Sequence, residues 1–290
     1  FPGLNFDRHE MYAGIAYAHE RGAKVLVALN TFMRAGSVDV WKHGVDAAVD
    51  AGADALILAD LGLVAYARRA HPKQRLHLSV QAAAATPEAI AFYRERFGIK
   101  RVVLPRVLTV EEVARLTKLA APCETEVFVF GGLCVMAEGR CSLSSYATGK
   151  SPNMTGVCSP PSHVDYRDDG ETMTASVGGF TVERFKKDEP AGYPTLCKGR
   201  FCVHGREMHL FEDPVSLNAT ELLPKLVEAG VAAFKIEGRQ RGRAYVAAAV
   251  KAFRRALDAI EEGEKPDVEE LKRLTEGQHD TTGSYKKTWR

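Results

Sequence analysis

Short apolar runs alternate along the chain with longer stretches in which apolar residues recur every three or four positions. The short runs predict buried strands, and the longer stretches predict amphipathic helices. The predicted strands are Lys24–Asn30, Ala55–Ala59, Leu76–Gln81, Arg101–Pro105, Glu124–Phe130 and Ala232–Ile236. The predicted helices are Val38–Ala51, Leu63–Ala70, Pro87–Phe97, Val110–Leu119, Leu217–Ala229 and Ala244–Glu261.

The order of these elements predicts an α/β fold. Strands that alternate with helices favour a parallel sheet covered by helices on both faces. No G-x-G-x-x-G motif follows the first strand, so nothing favours a dinucleotide-binding domain. We therefore predict a TIM-barrel-like parallel barrel. Six strand–helix units are counted, two fewer than the eight of a complete barrel, and the chain begins at Phe1, so we expect the N-terminal units to be missing.

The alternation stops at Met136 and resumes after about Gly205. This stretch is rich in Ser, Gly, Pro and Thr and holds four of the six cysteines. A run of this length inside a compact domain is rarely a plain loop, so it predicts an inserted subdomain. The predicted divisions are a first barrel segment (1–132), a cysteine-bearing insertion (133–207), a second barrel segment (208–262), and a C-terminal helix with a polar tail (263–290).

Composition and charge narrow the classes of function. The chain has 290 residues, of which 46% are hydrophobic and 26% charged, and its formal net charge is +2. No basic excess favours nucleic acid or anionic membranes as partners, and no apolar run approaches the roughly 18 residues of a membrane span. Without a visible signal peptide we expect a cytoplasmic protein with reduced thiols, in which clustered cysteines favour metal binding or catalysis.

Four cysteines follow the spacing C-x6-C-x16-C-x38-C, namely Cys134, Cys141, Cys158 and Cys197. Four thiolates can hold an iron–sulfur cluster or a structural zinc ion, and unconnected packing cysteines have the same composition. Zinc usually brings C-x2-4-C knuckles, and none occurs among these four cysteines. Cys123 precedes a strand and is expected to pack in the core, whereas Cys202 could replace Cys197 as a ligand.

Polar residues at the strand ends are the other candidates, because barrel active sites lie at the carboxyl ends of the strands. Arg106 suits a carboxylate, since a guanidinium matches its geometry. Each of these residues could instead cap a helix or pair with a neighbour, and the arginines after the last strand could form a solvated loop or a partner contact. The catalytic candidates are Arg106, Glu126, Asp60 and Gln81, and the substrate-binding candidates are Asn30, Arg106 and Arg239, with Glu237 and Arg241 nearby.

The segment Glu126–Ser144, EVFVFGGLCVMAEGRCSLS, resembles the signature of the peptidase U32 family. Its one departure is Gly132, where the pattern has Ser or Ala. Within the family the likeness is greatest to a protein of oxygen-independent ubiquinone biosynthesis. It extends through ALNTF (Ala28–Phe32), LSSYATGKSPN (Leu143–Asn153), AGYPTLCKGR (Ala191–Arg200) and KIEGRQR (Lys235–Arg241).

This resemblance implies a [4Fe–4S] cluster on Cys134, Cys141, Cys158 and Cys197. It also implies a related partner in a heterodimer, a lipid-binding accessory protein, a ubiquinone precursor as substrate, and prephenate as the oxygen source. The expected activity is hydroxylation of the ubiquinone ring without O2, with no nucleic acid as partner.

Other activities stay open at this point. The family label suggests a peptidase, but the sequence has neither G-x-S-x-G nor H-E-x-x-H, so neither serine nor zinc proteolysis is favoured. Other relatives in the family hydroxylate RNA. A scaffold that carries electrons without catalysing the reaction is the remaining alternative.

Overall fold

The computed structural model describes residues 6–134, 136, 140–189, 191–238, 241–267, 269–272, 274 and 279–286. The helices are α1 (Arg8–His19), α2 (Val38–Asp50), α3 (Leu61–Ala70), α4 (Pro87–Phe97), α5 (Val110–Ala120), α6 (Ser142–Thr148), α7 (Pro152–Thr155), α8 (Leu223–Glu228), α9 (Arg243–Glu261) and α10 (Glu269–Lys272). The strands are β1 (Leu26–Leu29), β2 (Ala55–Leu58), β3 (Leu76–Leu78), β4 (Arg101–Val103), β5 (Glu124–Gly132), β6 (Val164–Asp168), β7 (Thr172–Val177), β8 (Phe180–Lys186), β9 (Arg200–Val203), β10 (Arg206–His209), β11 (Val215–Asn218), β12 (Ala233–Ile236) and β13 (His279–Thr281).

The chain divides into two compact units, which we describe separately. The sheet unit comprises Gly3–Phe128, Lys225–Lys235 and Ser284–Arg290. The cysteine unit comprises Phe1–Pro2, Val129–Pro224 and Ile236–Gly283.

In the sheet unit, β1 to β4 and the first half of β5 form a parallel ladder in sequence order. The Ala232 N–H, just before β12, donates to the Thr125 carbonyl of β5 at 3.0 Å. All four residues of β2 are buried, as expected for a parallel strand covered on both faces. The prediction of a mixed α/β fold with a parallel sheet is confirmed.

Capping residues mark where two helices of the sheet unit begin. The Thr86 hydroxyl accepts from the Ala89 N–H, and Pro87 occupies the first turn of α4. Thr109 and Glu112 form a reciprocal capping box at the start of α5, which satisfies two backbone donors that lack partners within the helix. Both caps lie at the starts of helices that the sequence predicted at Pro87 and Val110.

Two predicted elements differ from the structure. The third strand ends at Leu78 rather than Gln81, because the Ser79 hydroxyl accepts from the Gln81 N–H and starts a 3-10 turn over Val80–Ala82. The helix predicted over Leu217–Ala229 was wrong for its first half. That half is β11 and a 3-10 turn, which begins where the Asn218 side chain accepts from the Thr220 N–H at 3.2 Å.

In the cysteine unit, the second half of β5 pairs antiparallel with β11, and β11 pairs parallel with β13. Strands β6, β7 and β8 form a three-stranded antiparallel sheet, and β9 and β10 form a hairpin. The apolar residues Ala175, Val177 and Val182 are buried in the three-stranded sheet. None of these antiparallel strands was predicted. Among the described helices, none is long and apolar enough to cross a membrane.

Candidate metal centre

The end of β5 is fixed by a close backbone approach that requires glycine. Gly131 has φ +112°, and a Cβ added to it would lie 2.6 Å from the Glu237 carbonyl oxygen. The Glu237 N–H donates to the Phe130 carbonyl at 2.9 Å, and the Gly132 N–H donates to Glu237 Oε2 at 3.4 Å. Because a side chain at Gly131 would be both strained and blocked, this glycine determines where the chain leaves the strand toward Cys134.

Cys134 is exposed, and its thiol donates to the Met136 carbonyl at 3.6 Å. Cys141 is the N-cap of α6, and its Sγ accepts from the Ser144 N–H at 3.4 Å. Backbone N–H groups at a helix start favour negative charge on an acceptor, so Cys141 occupies a position suited to a thiolate.

Cys158 is tied to the same helix through its backbone, because the Ser144 hydroxyl donates to its carbonyl oxygen. Burial raises the pKa of the Cys158 thiol to about 11, and the negative charges of Cys197, Cys141 and Cys134 contribute in the same direction. The residue nevertheless keeps an exposed surface. The charges of the other three predicted ligands therefore act on the Cys158 thiol, and all four residues belong to the cysteine unit.

Cys197 lies in a 3-10 turn, Leu196–Lys198, that packs against α6. The Glu212 N–H donates to the Cys197 carbonyl at 3.1 Å, and Lys198 Nζ donates to the Val215 carbonyl at 2.6 Å. Burial raises the pKa of Cys197, while the positive charge of Lys198 opposes that rise. A cation is therefore held beside the thiol, where it would offset the negative charge of a thiolate cluster.

The chemistry of the donors fits an iron–sulfur cluster, because four cysteine thiols are the usual ligands of such a cluster. A structural zinc ion can take the same four ligands. Within the described residues, no group of three or more His, Cys, Asp or Glu could hold a metal ion as placed.

The two other cysteines differ from this group. Cys123 is 4% exposed and burial raises its pKa to about 11, which agrees with the predicted packing role. Cys202 is exposed on β9, opposite Glu207 of β10. Arg200, three residues after Cys197, donates to Glu183 Oε1 at 2.6 Å and to Glu189 Oε1 at 3.2 Å. It therefore ties β8 to β9.

The strand-end candidates Asn30, Asp60, Gln81, Arg106 and Glu126 lie in the sheet unit, whereas Glu237 and Arg241 lie in the cysteine unit. One of the sheet-unit candidates already accepts backbone hydrogen bonds. The Asp60 carboxylate caps α3 by accepting from the Leu63 N–H at 3.0 Å, and it also accepts from the Met33 N–H at 3.1 Å. Asn30 is half-buried immediately after β1. The Gln81 Oε1 atom is buried and has no hydrogen-bond partner among the described residues, so it could accept from a bound molecule.

Arg106 and Glu126 share one environment around Phe128. The Arg106 guanidinium lies 3.6 Å from the Phe128 ring centroid, and Lys235 Nζ lies 5.9 Å from it. The buried Glu126 carboxylate accepts from Lys235 Nζ at 2.7 Å and from Arg101 at 3.4 Å. The structure thus places Arg106 and Lys235 near the Phe128 ring, and pairs Lys235 and Arg101 with the Glu126 carboxylate. Arg239 lies outside the described residues, and Arg241 is half-buried.

Residues of the C-terminal segment were missed by sequence reasoning. The Ser284 hydroxyl donates to the Arg106 carbonyl at 2.7 Å, and the Tyr285 hydroxyl donates to the Phe128 carbonyl at 2.6 Å. Both contacts hold the backbone that carries the Arg106–Phe128 pair. The sequence offered one signal, an aromatic residue inside the polar tail that we took to be solvated.

These features define a mixed α/β protein that has a thiol-rich unit and a parallel-sheet unit. A sequence profile of the peptidase family U32 matches residues 2–287, so the chain belongs to this family.

Its relatives include two proteins of Escherichia coli (strain K12). The tRNA hydroxylation protein P is 30% identical over 288 residues, which are 93% of this chain and 63% of that protein. The 23S rRNA 5-hydroxycytidine C2501 synthase is 30% identical over 246 residues, which are 85% of this chain and 32% of that protein. The chain therefore spans less than two thirds of the length of either relative.

Among solved structures, the U32 peptidase Mk0906 aligns at 20% identity with a TM-score of 0.36, over 42% of this chain and 52% of that chain. A likeness this low supports no argument about fold or function.

Proposed function

We propose that this chain is the iron–sulfur component of a hydroxylase that acts, without O2, on the ring of ubiquinone precursors. The observation that carries the proposal is the grouping of four cysteine thiols in one unit, on the positions that match the family's cluster-binding motif. The names of the two relatives, both of which concern hydroxylation, support the reaction class. The ubiquinone ring is suggested by the resemblance to UbiU, which runs through ALNTF, LSSYATGKSPN, AGYPTLCKGR and KIEGRQR.

In this proposal Cys134, Cys141, Cys158 and Cys197 hold a [4Fe–4S] cluster. When bound, the cluster supplies one-electron chemistry. The protein's own part is to orient the thiols through α6 and the Leu196–Lys198 turn, and to keep the Lys198 cation beside them.

The sheet unit supplies the substrate side of the proposal. We propose that it belongs to a TIM-type barrel with the cysteine segment 133–207 as an insertion. Arg106, held flat against Phe128, would bind a carboxylate such as that of prephenate, the proposed oxygen donor. Glu126 is held in place by Lys235 and Arg101. Asn30 is the other substrate-binding candidate of the sheet unit, and the candidate Arg239 lies outside the described residues.

The proposed partners also follow the resemblance. They are a UbiV-like protein in a heterodimer and a UbiT-like lipid-binding accessory protein, all acting in the cytoplasm. A scaffold role without catalysis would keep the same partners and the same cluster.

The cofactor is tested by anaerobic purification followed by iron and sulfide assays. We expect close to four irons and four sulfides per chain in the wild type and a large loss in Cys134→Ala. The matched control is Cys202→Ala, which removes another exposed cysteine of the same unit and should retain the iron. Colourless wild-type protein without iron would refute the proposal.

The substrate is tested in cells that lack this protein and are grown without O2. Wild-type protein should restore ubiquinone. In cells with Cys158→Ala, precursors that lack the ring hydroxyl should accumulate. Arg106→Lys retains the charge but not the two-pronged geometry, so it should lower ubiquinone without loss of iron. Ubiquinone levels that do not depend on the protein would exclude this substrate.

RNA hydroxylation is the second candidate, and 30% identity to a tRNA hydroxylation protein and to an rRNA hydroxycytidine synthase favours it. Mass spectrometry of nucleosides from the same cultures separates the two. If cells that lack the protein also lack hydroxylated nucleosides but still contain ubiquinone, RNA is the substrate.

A further inference from the structure

Helix α9, in the cysteine unit, carries a basic groove on its solvent face. The groove has a volume of about 700 Å³. Its lining consists of five cations, two valines and one alanine, and we call it the α9 groove. These residues are Arg241, Arg243, Val246, Ala247, Val250, Lys251, Arg254 and Arg255.

The groove lies on the face of α9 that does not pack in the core. The core side of the helix buries Ala249, Ala252, Phe253 and Ala256. Next to this core face, Val246 is 38% exposed and Val250 is 51% exposed. When a helix has apolar residues on two faces, one face packs in its own fold and the other face is available for contact.

The spacing of the lining residues matches a seam for a second helix. Positions 243, 247, 250 and 254 recur at intervals of four, three and four residues, and 246 and 251 flank them. This is the pattern by which one helix accepts the side chains of another between its own. The small Ala247 side chain between two valines gives such a partner room to approach closely.

The charges define the partner further. The apolar floor is bordered by long basic side chains, and Arg254 also pairs with Asp258 one turn along the helix at 2.8 Å. A helix that packs on Val246, Ala247 and Val250 therefore places its two sides against Arg243 and Lys251. Acidic flanks would be stabilised there, whereas basic flanks would be repelled.

Two other anionic partners fit less well. A bilayer is contacted by apolar residues that project beyond the charged ones, but valine and alanine are shorter than the Arg and Lys side chains around them. Proteins that hold single-stranded RNA stack its bases on aromatic rings, and the α9 groove is lined by no aromatic residue. A helix is the occupant that uses both the apolar floor and the basic border.

We infer that the α9 groove docks an amphipathic helix of a partner protein, with an apolar stripe against Val246, Ala247 and Val250 and acidic residues on both flanks. This inference does not depend on the substrate or on the cluster.

The probe is a hydrocarbon-stapled helical peptide of about 15 residues, long enough for four turns, with leucines on one stripe and glutamates on both flanks. Binding to the whole chain, as purified without O2, is measured by fluorescence anisotropy. The test variant is Arg243→Glu/Lys251→Glu. The control variant, Lys187→Glu/Arg206→Glu, reverses two exposed cations of the same unit outside the groove. Anionic phosphatidylglycerol vesicles and a single-stranded RNA are tested in parallel.

We expect the acidic peptide to bind wild type and control equally, and to bind the test variant at least about tenfold more weakly, because like charges then face each other. Val250→Asn should also weaken binding. A peptide with lysines in place of the glutamates should not bind. Equal binding of both peptides, binding of vesicles or RNA in place of the acidic peptide, or a dimer of this chain that blocks the groove would each overturn the inference.

Discussion

At the scale of single residues, the contacts of Asp60 indicate that its carboxylate is structural. Both of its oxygens accept backbone N–H groups, from Leu63 and Met33. Asparagine retains an acceptor oxygen and is an equally good helix cap, whereas alanine is not.

We therefore expect Asp60→Asn to change the free energy of unfolding by only a few tenths of a kcal/mol, and Asp60→Ala to lower it by about 1 kcal/mol. Urea unfolding measures both. Ubiquinone formation in cells should survive Asp60→Asn. If activity were lost while stability was retained, the carboxylate would be a catalytic group after all.

His77 is a buried residue whose protonation should affect stability. It is 2% exposed, and its Nε2 accepts from Arg75 Nε at 2.9 Å. Burial lowers its pKa from 6.5 to about 4, and the charges of Arg101 and Arg75 contribute to the change. As the pH falls, the unfolded chain therefore gains this proton first.

The consequence is a loss of stability between pH 6.5 and 4, complete below pH 4 and absent above 6.5. From neutral pH to about pH 4.5 the contribution of His77 should fall by about 2 to 3 kcal/mol. Urea unfolding of wild type and His77→Gln is measured at several pH values in this range. The contribution of His77 is the difference between the two proteins in how their free energy of unfolding changes with pH. Parallel curves would show that His77 does not have this pKa.

At the scale of elements, two neighbouring glycines show how the three-stranded sheet is attached to α6. Gly178 and Gly179 form the turn between β7 and β8, and both have positive φ, +61° and +83°. A Cβ on Gly178 would overlap the Ala147 carbonyl oxygen near the end of α6, whereas a Cβ on Gly179 would meet nothing within 4 Å.

We expect Gly179→Ala to cost about 1 kcal/mol from backbone strain alone, and Gly178→Ala to cost about 3 kcal/mol because steric overlap adds to the strain. Urea unfolding of the cluster-free protein measures both. Because Cys141 begins α6, Gly178→Ala should also retain less iron after reconstitution than Gly179→Ala. Equal stability in the two variants would contradict this packing.

The sequence predicted elements well where the signals were local. Thr109 and Glu112 fixed the start of α5 because a cap and its partner are three residues apart. The strands of the cysteine unit were missed because their pairing is non-local and their solvent-facing residues are polar. In β6, four of five residues are exposed, so no apolar run marked it.

The same distinction holds for the candidate site. Cys134 and Cys141 could be selected from the motif 126–144, because it is written in consecutive residues, whereas Cys158 and Cys197 were selected from the wider family resemblance. The Lys235–Glu126 pair and the Tyr285–Phe128 hydrogen bond join residues 109 and 157 positions apart. No periodicity or short motif reports contacts over such separations.

At the scale of the whole molecule, the distribution of charge bears on the substrate class. The chain has 39 Lys and Arg against 37 Asp and Glu, so general attraction to RNA is weak. The α9 groove concentrates five cations on one face. Affinity for single-stranded nucleic acid falls with salt at a slope set by the number of phosphates contacted.

We expect tRNA to bind the full-length protein only non-specifically, with a Kd of about 10⁻⁴ M or weaker at about 150 mM salt. If the α9 groove supplies all the contacts, affinity should fall roughly a hundredfold between about 50 and 200 mM salt. Fluorescence anisotropy with labelled tRNA gives both values, and Arg243→Glu/Lys251→Glu should remove the salt-dependent part while Lys187→Glu/Arg206→Glu retains it. Sub-micromolar binding that persists at the higher salt, and that distinguishes one tRNA from another, would contradict a small-molecule substrate. It would move the proposed hydroxylation from the ubiquinone ring to RNA, with the same four cysteines.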